Sequence, residues 1–181
     1  MTGELEIIHG MQSLLTNDNL RNLAVFASRY LVFLFIPVIA GLGYVRKKLV
    51  PLKQSLYDAG WSALTALIVA NTIGQFIGRL RPYEASAEIL RLIPPPLTAH
   101  SFPSGHTSVA FACAAALTYG RPGWGLVALV AATAVGLGRI FVGVHYPSDV
   151  VVGAILGIAC ASLVRLIRVS QQKKKAKTET R

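Results

Sequence analysis

The sequence predicts an all-α fold, an integral-membrane bundle of about five transmembrane helices with an interfacial amphipathic helix at its N-terminus. The first reason is composition: 53% of the 181 residues are hydrophobic and only 14% are charged, which is too apolar for an ordinary water-soluble domain. The second reason is that several stretches approach the ~20 apolar residues that a helix needs to cross a bilayer. These stretches are 23–45, 60–80, 106–119, 124–142 and 147–167.

Residues 1–20 predict the interfacial helix, because apolar residues recur there at near-helical spacing with polar residues between them. An amphipathic helix that faces water is the alternative interpretation. Glu4 and Glu6 stand where a secretory signal would carry basic residues, so we expect this segment to be retained. The apolar positions are Leu5, Ile8, Met11 and Leu15.

The transmembrane helices are expected to form one domain at residues 21–169, followed by a basic tail at 170–181. Cys113 and Cys160 lie inside apolar stretches, where we expect small core residues and neither a disulfide nor a metal site. Two GxxxG spacings indicate either close helix contacts or ordinary glycine usage in membranes. They join Gly74 with Gly78 and Gly153 with Gly157.

Basic residues cluster at 46–53, at Arg121 and from Arg165 to the end of the chain. The positive-inside rule places these segments in the cytoplasm, so the N-terminus, the 81–105 loop and the 143–146 turn face outward. Because the net charge of +10 is spread over short loops and a tail, it indicates topology and no nucleic-acid partner. The proline-rich segment 84–100 predicts a rigid outer loop that forms a wall or lid.

Polar and ionisable side chains gather where the predicted helices meet the outer face. Burying such groups near lipid is costly unless they have partners or a function. The second span ends, the third begins and the fourth ends on this face, so the topology brings these groups to one place. The candidate site residues are Arg79, Arg81, Ser104, Gly105, His106, Arg139, His145 and Asp149.

This set of residues indicates phosphoryl transfer. Several arginines in one pocket suit the oxygens of a phosphate, and Ser104 and Gly105 precede a helix whose N-terminus favours the same anion. One histidine can attack phosphorus while the other protonates the leaving oxygen, and Asp149 can hold one ring nitrogen of His145. The alternative is that His106 and His145 are structural residues that cap helices.

We expect no metal and no cofactor. The outward-facing acids, Glu84, Glu88 and Asp149, are too few and too scattered to enclose a hard cation. Two histidines and an aspartate could bind zinc, but the neighbouring arginines would repel it. His100 has no evident partner in the sequence, and we expect it to face solvent or lipid headgroups.

The motifs resemble those of the type 2 phosphatidic acid phosphatase superfamily, whose signatures are K-x6-R-P, P-S-G-H and S-R-x5-H-x3-D. The second signature matches at 103–106, and the third matches at Arg139, His145 and Asp149 with its spacing kept. The first matches only at Arg81 and Pro82. Together the three cover positions 74–149.

The resemblance implies a helical bundle with its site at the outer surface and a covalent phosphohistidine intermediate. By this resemblance His145 is the nucleophile, Asp149 orients it, and His106 is the general acid. The phosphate ligands that it implies are Arg81, Arg139, Ser104 and Gly105.

The chain departs from the family pattern at two positions. Gly74 stands where the family has lysine, and Gly138 stands where it has serine. Arg79 either supplies the positive charge that is lost with the lysine or meets lipid headgroups.

Within the superfamily the chain is most similar to the bacitracin-resistance type of undecaprenyl-diphosphatase. That resemblance implies hydrolysis of undecaprenyl diphosphate outside the bacterial cytoplasmic membrane, in cell-wall biogenesis. Phosphatidylglycerophosphate, phosphatidic acid and lipid A phosphate are alternative substrates. A lipid-phosphate transporter or scramblase without catalysis, and vanadate-dependent peroxidase chemistry, are alternatives of a different class.

Overall fold

A computed structural model of the chain describes residues 2–34, 50–120 and 122–179, and within these ranges the regular structure is helical without strands. The all-α prediction is therefore confirmed. The helices are α1 (Thr2–Ser13), α2 (Asp18–Arg29), α3 (Val50–Ile77), α4 (Pro82–Ala85), α5 (Gly105–Gly120), α6 (Pro122–Phe141) and α7 (Pro147–Glu179). Residues 31–34 are also helical.

Three described segments are long and apolar enough to cross a membrane, namely Gln54–Ala85, Pro122–Phe141 and Pro147–Glu179. The protein is thus a multi-pass membrane protein. The third predicted span corresponds to α5, which has only 16 residues. Most of the first predicted span, the basic residues at 46–49 and Arg121 lie outside the described residues.

Helix α5 forms the centre of the bundle and packs against α3, α6 and α7. Its length is short for a membrane span, but most of its surface is covered by protein. Small side chains let the neighbouring backbones approach closely. The buried alanines of this helix are Ala110, Ala112, Ala114, Ala115 and Ala116.

The second GxxxG pair mediates helix packing and the first does not. A Cβ added at Gly153 would lie 2.8 Å from the carbonyl oxygen of Ser104, and one at Gly157 would overlap the backbone of α5. Gly78 instead has open space around its Cα and a φ of +61°, and its N–H donates to Gly74 O at 2.9 Å. It therefore terminates α3 in the left-handed conformation that glycine adopts without strain.

The N-terminal helix ends at Ser13 and lies against the protein. The side chain of Ile8 on α1 is fully buried in a cluster with Ile89, Ile140 and Tyr146. The Gln12 side chain fixes the outer loop, since its Nε2 donates to Leu90 O at 2.7 Å and its Oε1 accepts from Leu90 N at 3.0 Å. The apolar face predicted for this helix thus packs on the protein.

The last helix, α7, continues to Glu179 through the segment predicted as a separate tail at 170–181. Cys113 and Cys160 are buried free thiols, which confirms their prediction as core residues. Helix α2 packs on α6, and α1 contacts the same helix, so the N-terminal helices flank the site described next.

Candidate active site

The fold brings the candidate residues from four separate segments to one end of the bundle. Arg81 precedes α4, and Ser104 to His106 stand at the start of α5. Arg139 lies in the last turn of α6, and Asp149 lies in the first turn of α7. His145 occupies the short connection between α6 and α7.

The His145 ring is buried and its tautomer follows from its contacts. Its Nδ1 lies 2.7 Å from the carbonyl oxygen of Ser101, which can only accept, so Nδ1 carries the proton. The other nitrogen, Nε2, then presents a lone pair. It lies 3.5 Å from Nη1 of Arg81 and 3.5 Å from Nη2 of Arg139.

Burial lowers the pKa of His145 to about 4, because the imidazolium would lose its hydration. The Asp149 carboxylate opposes this shift, and the charges of Arg139 and Arg81 add to it. The ring is therefore neutral at pH 7. In the free protein the Nε2 lone pair can accept only long hydrogen bonds, from Arg81 and Arg139. A neutral imidazole with an unprotonated Nε2 is the form that can attack an electrophile.

Arg81 is 2% exposed and is held by backbone and hydroxyl oxygens. Its Nη1 donates to Val144 O at 2.9 Å, and its Nη2 donates to the carbonyl oxygen and hydroxyl of Thr98 at 3.0 and 3.2 Å. The proline-rich outer loop that carries Thr98 therefore forms a wall of the site, and it fixes the orientation of this guanidinium.

Arg139 is equally buried, and its Nη1 donates to the Ser28 hydroxyl at 3.2 Å. Among the described residues neither Arg81 nor Arg139 has a carboxylate within ion-pair distance, and the Nε of each lacks a hydrogen-bond partner. Glu84 and Asp149 act on Arg81 only from beyond ion-pair distance, so two buried positive charges without a directly paired carboxylate are unfavourable in the free protein. Their arrangement fits a bound anion that accepts from both.

The start of α5 adds further donors. The first backbone N–H groups of a helix lack helical acceptors and lie at its positive end. Ser104 is fully buried; its hydroxyl pairs with the Thr107 hydroxyl at 2.9 Å, and its backbone N donates to Asp149 O at 3.1 Å. Gly105 opens the helix, where an added Cβ would meet only Leu67 Cδ1, at 3.9 Å.

His106 follows in the first turn of α5 and faces the same site. Its ring lies close enough to Arg139, His145 and Arg81 to interact with them electrostatically. It also stacks edge-on against Phe33, with ring centroids 6.5 Å apart. The two histidines thus lie at the same end of the bundle, as the sequence predicts.

Asp149 is fully buried and fixes the backbone around His145. Its Oδ2 accepts from the Ser101 hydroxyl and, at 2.9 Å, from Tyr146 N. The same oxygen lies 3.6 Å from His145 Nδ1, farther than the Ser101 carbonyl oxygen. Asp149 therefore acts on the ring chiefly through its charge and through Ser101.

Arg79 bridges two carboxylates. Its Nη1 donates to Asp149 Oδ1 at 2.6 Å and to the Ser148 hydroxyl at 2.7 Å, and its Nη2 donates to Glu4 Oε2 at 2.7 Å. Its guanidinium also lies 3.9 Å from the centroid of the Tyr146 ring. This structural role was not among the sequence interpretations of Arg79, which were phosphate binding and headgroup contact.

Sequence reasoning missed several polar groups around the site. Ser101 lies just before the P-S-G-H motif, and its proximity to that motif was the one available signal. The other polar groups are Glu4, Ser28 and Thr98. The sequence around them gave no signal of a site, because isolated serines, threonines and acids are common in loops and helices.

Other side chains fill the space at both positions that depart from the family pattern. A Cβ at Gly138 would lie 2.8 Å from Ser28 N, so α2 approaches too closely for a serine there, and the Ser28 hydroxyl contacts Arg139 instead. At Gly74 an added Cβ would overlap the His100 ring. His100 is therefore packed against α3, which corrects the expectation that it simply faces solvent or headgroups.

Within the described ranges no three histidine, cysteine, aspartate or glutamate side chains converge as a metal site would require. A neutral histidine between two buried guanidiniums at one end of a membrane bundle has the chemistry to bind a phosphate group and attack its phosphorus. The model of the PAP2 superfamily matches residues 55–173, and the chain belongs to this family.

Of three relatives of this chain, one is named as a transport permease and two are named as phosphatases. The chain is 38% identical over 108 residues to the bacitracin transport permease protein BcrC of Bacillus licheniformis, covering 56% of this chain and 52% of the relative. It is 30% identical to an undecaprenyl-diphosphatase of Sulfolobus acidocaldarius, covering 76% of this chain and 66% of the relative. The chain thus spans about half of the first relative's length and slightly under two thirds of the second's.

A third relative matches end to end. The decaprenylphosphoryl-5-phosphoribose phosphatase of Mycobacterium tuberculosis is 28% identical, covering 94% of both chains. Among solved structures, LpxE of Aquifex aeolicus superposes with a TM-score of 0.68 at 26% identity, covering 88% of this chain and 93% of that chain. The sequence resemblance to this family is therefore confirmed.

Proposed function

We propose that the protein hydrolyses undecaprenyl diphosphate to undecaprenyl phosphate and phosphate at the extracytoplasmic face of a bacterial membrane, without a metal. The observation that carries the proposal is the position of His145 Nε2, 3.5 Å from the nearest nitrogens of both Arg81 and Arg139. A phosphate bound by both guanidiniums has its phosphorus next to the lone pair of His145 Nε2.

In the first step the Nε2 lone pair of His145 forms a bond to the terminal phosphorus. The bond from phosphorus to the bridging oxygen breaks, and its electron pair leaves with undecaprenyl phosphate. His106 begins this step as an imidazolium, which the negative charge of the bound diphosphate favours, and it donates its proton to that leaving oxygen and becomes neutral. In the second step His106 takes a proton from water, the resulting hydroxide attacks the phosphohistidine, and phosphate leaves as Nε2 regains its lone pair.

Stabilisation of charge on the phosphoryl oxygens falls to Arg81, Arg139 and the backbone N–H groups in the first turn of α5, beginning at Gly105. The Ser104 N–H already donates to Asp149 O, so Ser104 contributes by holding the start of this helix in place. Asp149 favours the imidazolium character that develops as His145 forms its bond. Arg79 serves as a positioning residue in this scheme, because its terminal nitrogens are already bound to protein oxygens.

Two arguments support a diphosphate substrate. The relative from Sulfolobus acidocaldarius bears the name undecaprenyl-diphosphatase. The departing group of a diphosphate is a phosphate, whose second pKa is about 6, so it is expelled far more easily than an alkoxide. A site with one lysine fewer than the family pattern is then sufficient.

Phosphate release by purified protein tests the proposal, with undecaprenyl diphosphate assayed beside phosphatidic acid, phosphatidylglycerophosphate and lipid A 1-phosphate, in EDTA. We expect the diphosphate to be preferred and chelation to leave the rate unchanged. His145→Ala and His106→Ala should lower kcat by at least ~1,000-fold. The exposed His9 provides the matched control, His9→Ala, which should retain full activity.

The test separates the alternatives. Phosphate release that survives His145→Ala would refute the proposed role of His145 as nucleophile. Wild-type protein that binds these lipids but releases phosphate from none of them would refute the enzymatic function and favour a binding or transport protein. Preference for a glycerolipid or lipid A phosphate would refute only the substrate. An acid-labile phosphoenzyme trapped with terminally labelled substrate in His106→Ala would support the intermediate.

The end-to-end match with the mycobacterial relative favours a second candidate substrate. That relative's name describes a polyprenyl phosphate that carries a phosphorylated ribose, so its chemistry is cleavage of a phosphate monoester. Adding decaprenylphosphoryl-5-phosphoribose to the substrate panel distinguishes this candidate. A higher kcat/KM for the monoester than for the diphosphate would replace the leading proposal.

A further inference from the structure

The His100 ring lies where the family pattern places a lysine side chain. A Cβ added at Gly74 would overlap His100 Nδ1 and Cε1, so the ring sits directly on this glycine of α3. The Gly74 backbone leaves room for an imidazole because it has no side chain. The His100 ring therefore occupies space that is available only because position 74 is a glycine and not the lysine of the family pattern.

The contacts of the ring determine which nitrogen can donate. His100 Nδ1 is buried and has no hydrogen-bond partner among the described residues. A protonated Nδ1 would bury an N–H group without an acceptor, which costs more than burying an unprotonated nitrogen. The proton of the neutral ring therefore belongs on Nε2, which is left free to donate.

His100 is also close to the phosphate-binding residues. The next residue, Ser101, donates its N–H to Arg79 O at 2.8 Å and offers its carbonyl oxygen to His145. Burial, and after it the charge of Arg81, lower the pKa of His100. The ring is thus a neutral group within electrostatic reach of Arg81.

We propose that His100 is a substrate-binding residue whose Nε2–H donates a hydrogen bond to a phosphate oxygen of the lipid held by Arg81. It replaces the charged donor that the family pattern places at position 74 with a neutral one. The inference rests on the proposed function, since it names a further ligand for the same substrate.

Two substitutions at His100 separate hydrogen bonding from packing. His100→Gln keeps an N–H donor at the distance of Nε2, whereas His100→Leu keeps apolar volume and removes the donor. We expect His100→Leu to raise KM for undecaprenyl diphosphate about 10-fold with a smaller change in kcat, and His100→Gln to stay within about threefold of wild type. Thermal unfolding of the two variants should be alike.

Substitutions at Gly74 test the same contact from the other side. Gly74→Ala places a methyl group in the volume of the imidazole, so the ring must move and KM should rise as it does in His100→Leu. The double variant Gly74→Lys/His100→Ala restores a charged donor in the vacated space. It should have a lower KM than His100→Ala alone.

The outcomes distinguish this inference from the proposed function. His145→Ala, assayed in parallel, tests the mechanism and should abolish turnover whatever His100 does. If His145→Ala is inactive but His100→Leu has the KM of wild type, the role of His100 is refuted while the mechanism stands. The role of His100 is also refuted if His100→Leu and His100→Gln raise KM equally, since a ring that only fills space would give that result.

Discussion

The buried charges of Arg81 and Arg139 lower the stability of the folded protein when the site is empty. Each is almost completely buried, and among the described residues neither meets a carboxylate within ion-pair distance. Their main-chain and hydroxyl acceptors compensate only part of the lost hydration. In the proposed mechanism a bound phosphate supplies the missing negative charge, and binding is then expected to stabilise the folded protein.

Replacing one of these arginines by an apolar side chain should show how far its buried charge destabilises the folded protein. In the proposed mechanism, Arg139→Met should lower kcat/KM about 100-fold, the usual effect of losing one transition-state donor. Its melting temperature without ligand should equal or exceed that of wild type, because a buried unpaired charge is removed. Thermal unfolding in detergent and phosphate release measure the two effects.

The exposed Arg21 offers a matched control, since Arg21→Met removes the same charge from the surface of α2. Activity and stability of this control should both stay close to wild type. A marked loss of stability in Arg139→Met would contradict the prediction and show that the folded protein compensates the charge by itself.

The protonation of His145 is a second property of single residues that can be measured. Its pKa is lowered to about 4, so between pH 6.5 and 4 the unfolded chain binds a proton that the folded chain does not. The contribution of His145 to stability is therefore fully present above pH 6.5 and is lost as pH falls toward 4. At pH 6 its ring should still be neutral and protonated on Nδ1.

Nitrogen NMR of the protein labelled at its four histidines can test this, with His145→Gln to assign the signal. A neutral Nδ1–H signal at pH 6 is the expected result. Titration of His145 near pH 6.5 would show that the site is more hydrated or more negative than the structure indicates.

At the scale of elements, α1 is coupled to the site through one carboxylate. Glu4 Oε2 accepts from Arg79, and Glu4 Oε1 accepts from Ser148 N at 3.0 Å in the first turn of α7. Burial of Glu4 opposes ionisation, but the hydrogen bonds from Ser148 and Arg79 outweigh it and lower the pKa of the carboxyl. The contribution of this contact to stability is therefore present above about pH 4.5 and is lost below it.

Neutralising this carboxylate should loosen α1 and shift Asp149. We expect Glu4→Gln to raise hydrogen–deuterium exchange in residues 2–13 and 145–150 at pH 7. It should lower kcat about two- to fivefold, as expected for a partly exposed ion pair worth up to ~1 kcal/mol. Glu6→Gln, on the exposed face of the same helix, should change neither; equal effects of the two variants would refute the coupling.

Element packing also explains both departures from the family pattern. Helix α2 lies so close to Gly138 that no serine fits, and Ser28 contributes the hydroxyl from the other helix. The outer loop places the His100 ring on Gly74 in the same way. A position in a motif can therefore lose its side chain when a neighbouring element occupies the same space.

At the scale of the whole molecule, the topology determines whether the site faces outward. The outer loop and the end of α7 should lie on opposite sides of the membrane, because the basic residues are expected in the cytoplasm. In a background with Cys113→Ala and Cys160→Ala, single cysteines at two exposed positions can be labelled with an impermeant maleimide. The positions are Ala87→Cys in the loop and Gln172→Cys in α7.

In intact cells we expect Ala87→Cys to be labelled and Gln172→Cys to be labelled only after lysis. Each variant must retain phosphatase activity for its labelling to be interpreted. The reverse pattern would place the site in the cytoplasm and contradict the proposed orientation.

The sequence by itself determined the helical membrane fold and most helix positions, and it pointed to the candidate site residues that the structure gathers at one end of the bundle. Bilayer thickness requires long apolar segments, and ionisable groups stand out against such a background. The tertiary structure decided which carbonyl oxygen holds His145, that Arg79 binds Glu4 and Asp149, and that His100 covers Gly74. The hydrogen bonds of His145 and Arg79 join residues from 44 to 75 positions apart in the sequence. The contact of His100 depends on the space left by the missing side chain at Gly74. A local sequence pattern contains neither kind of information.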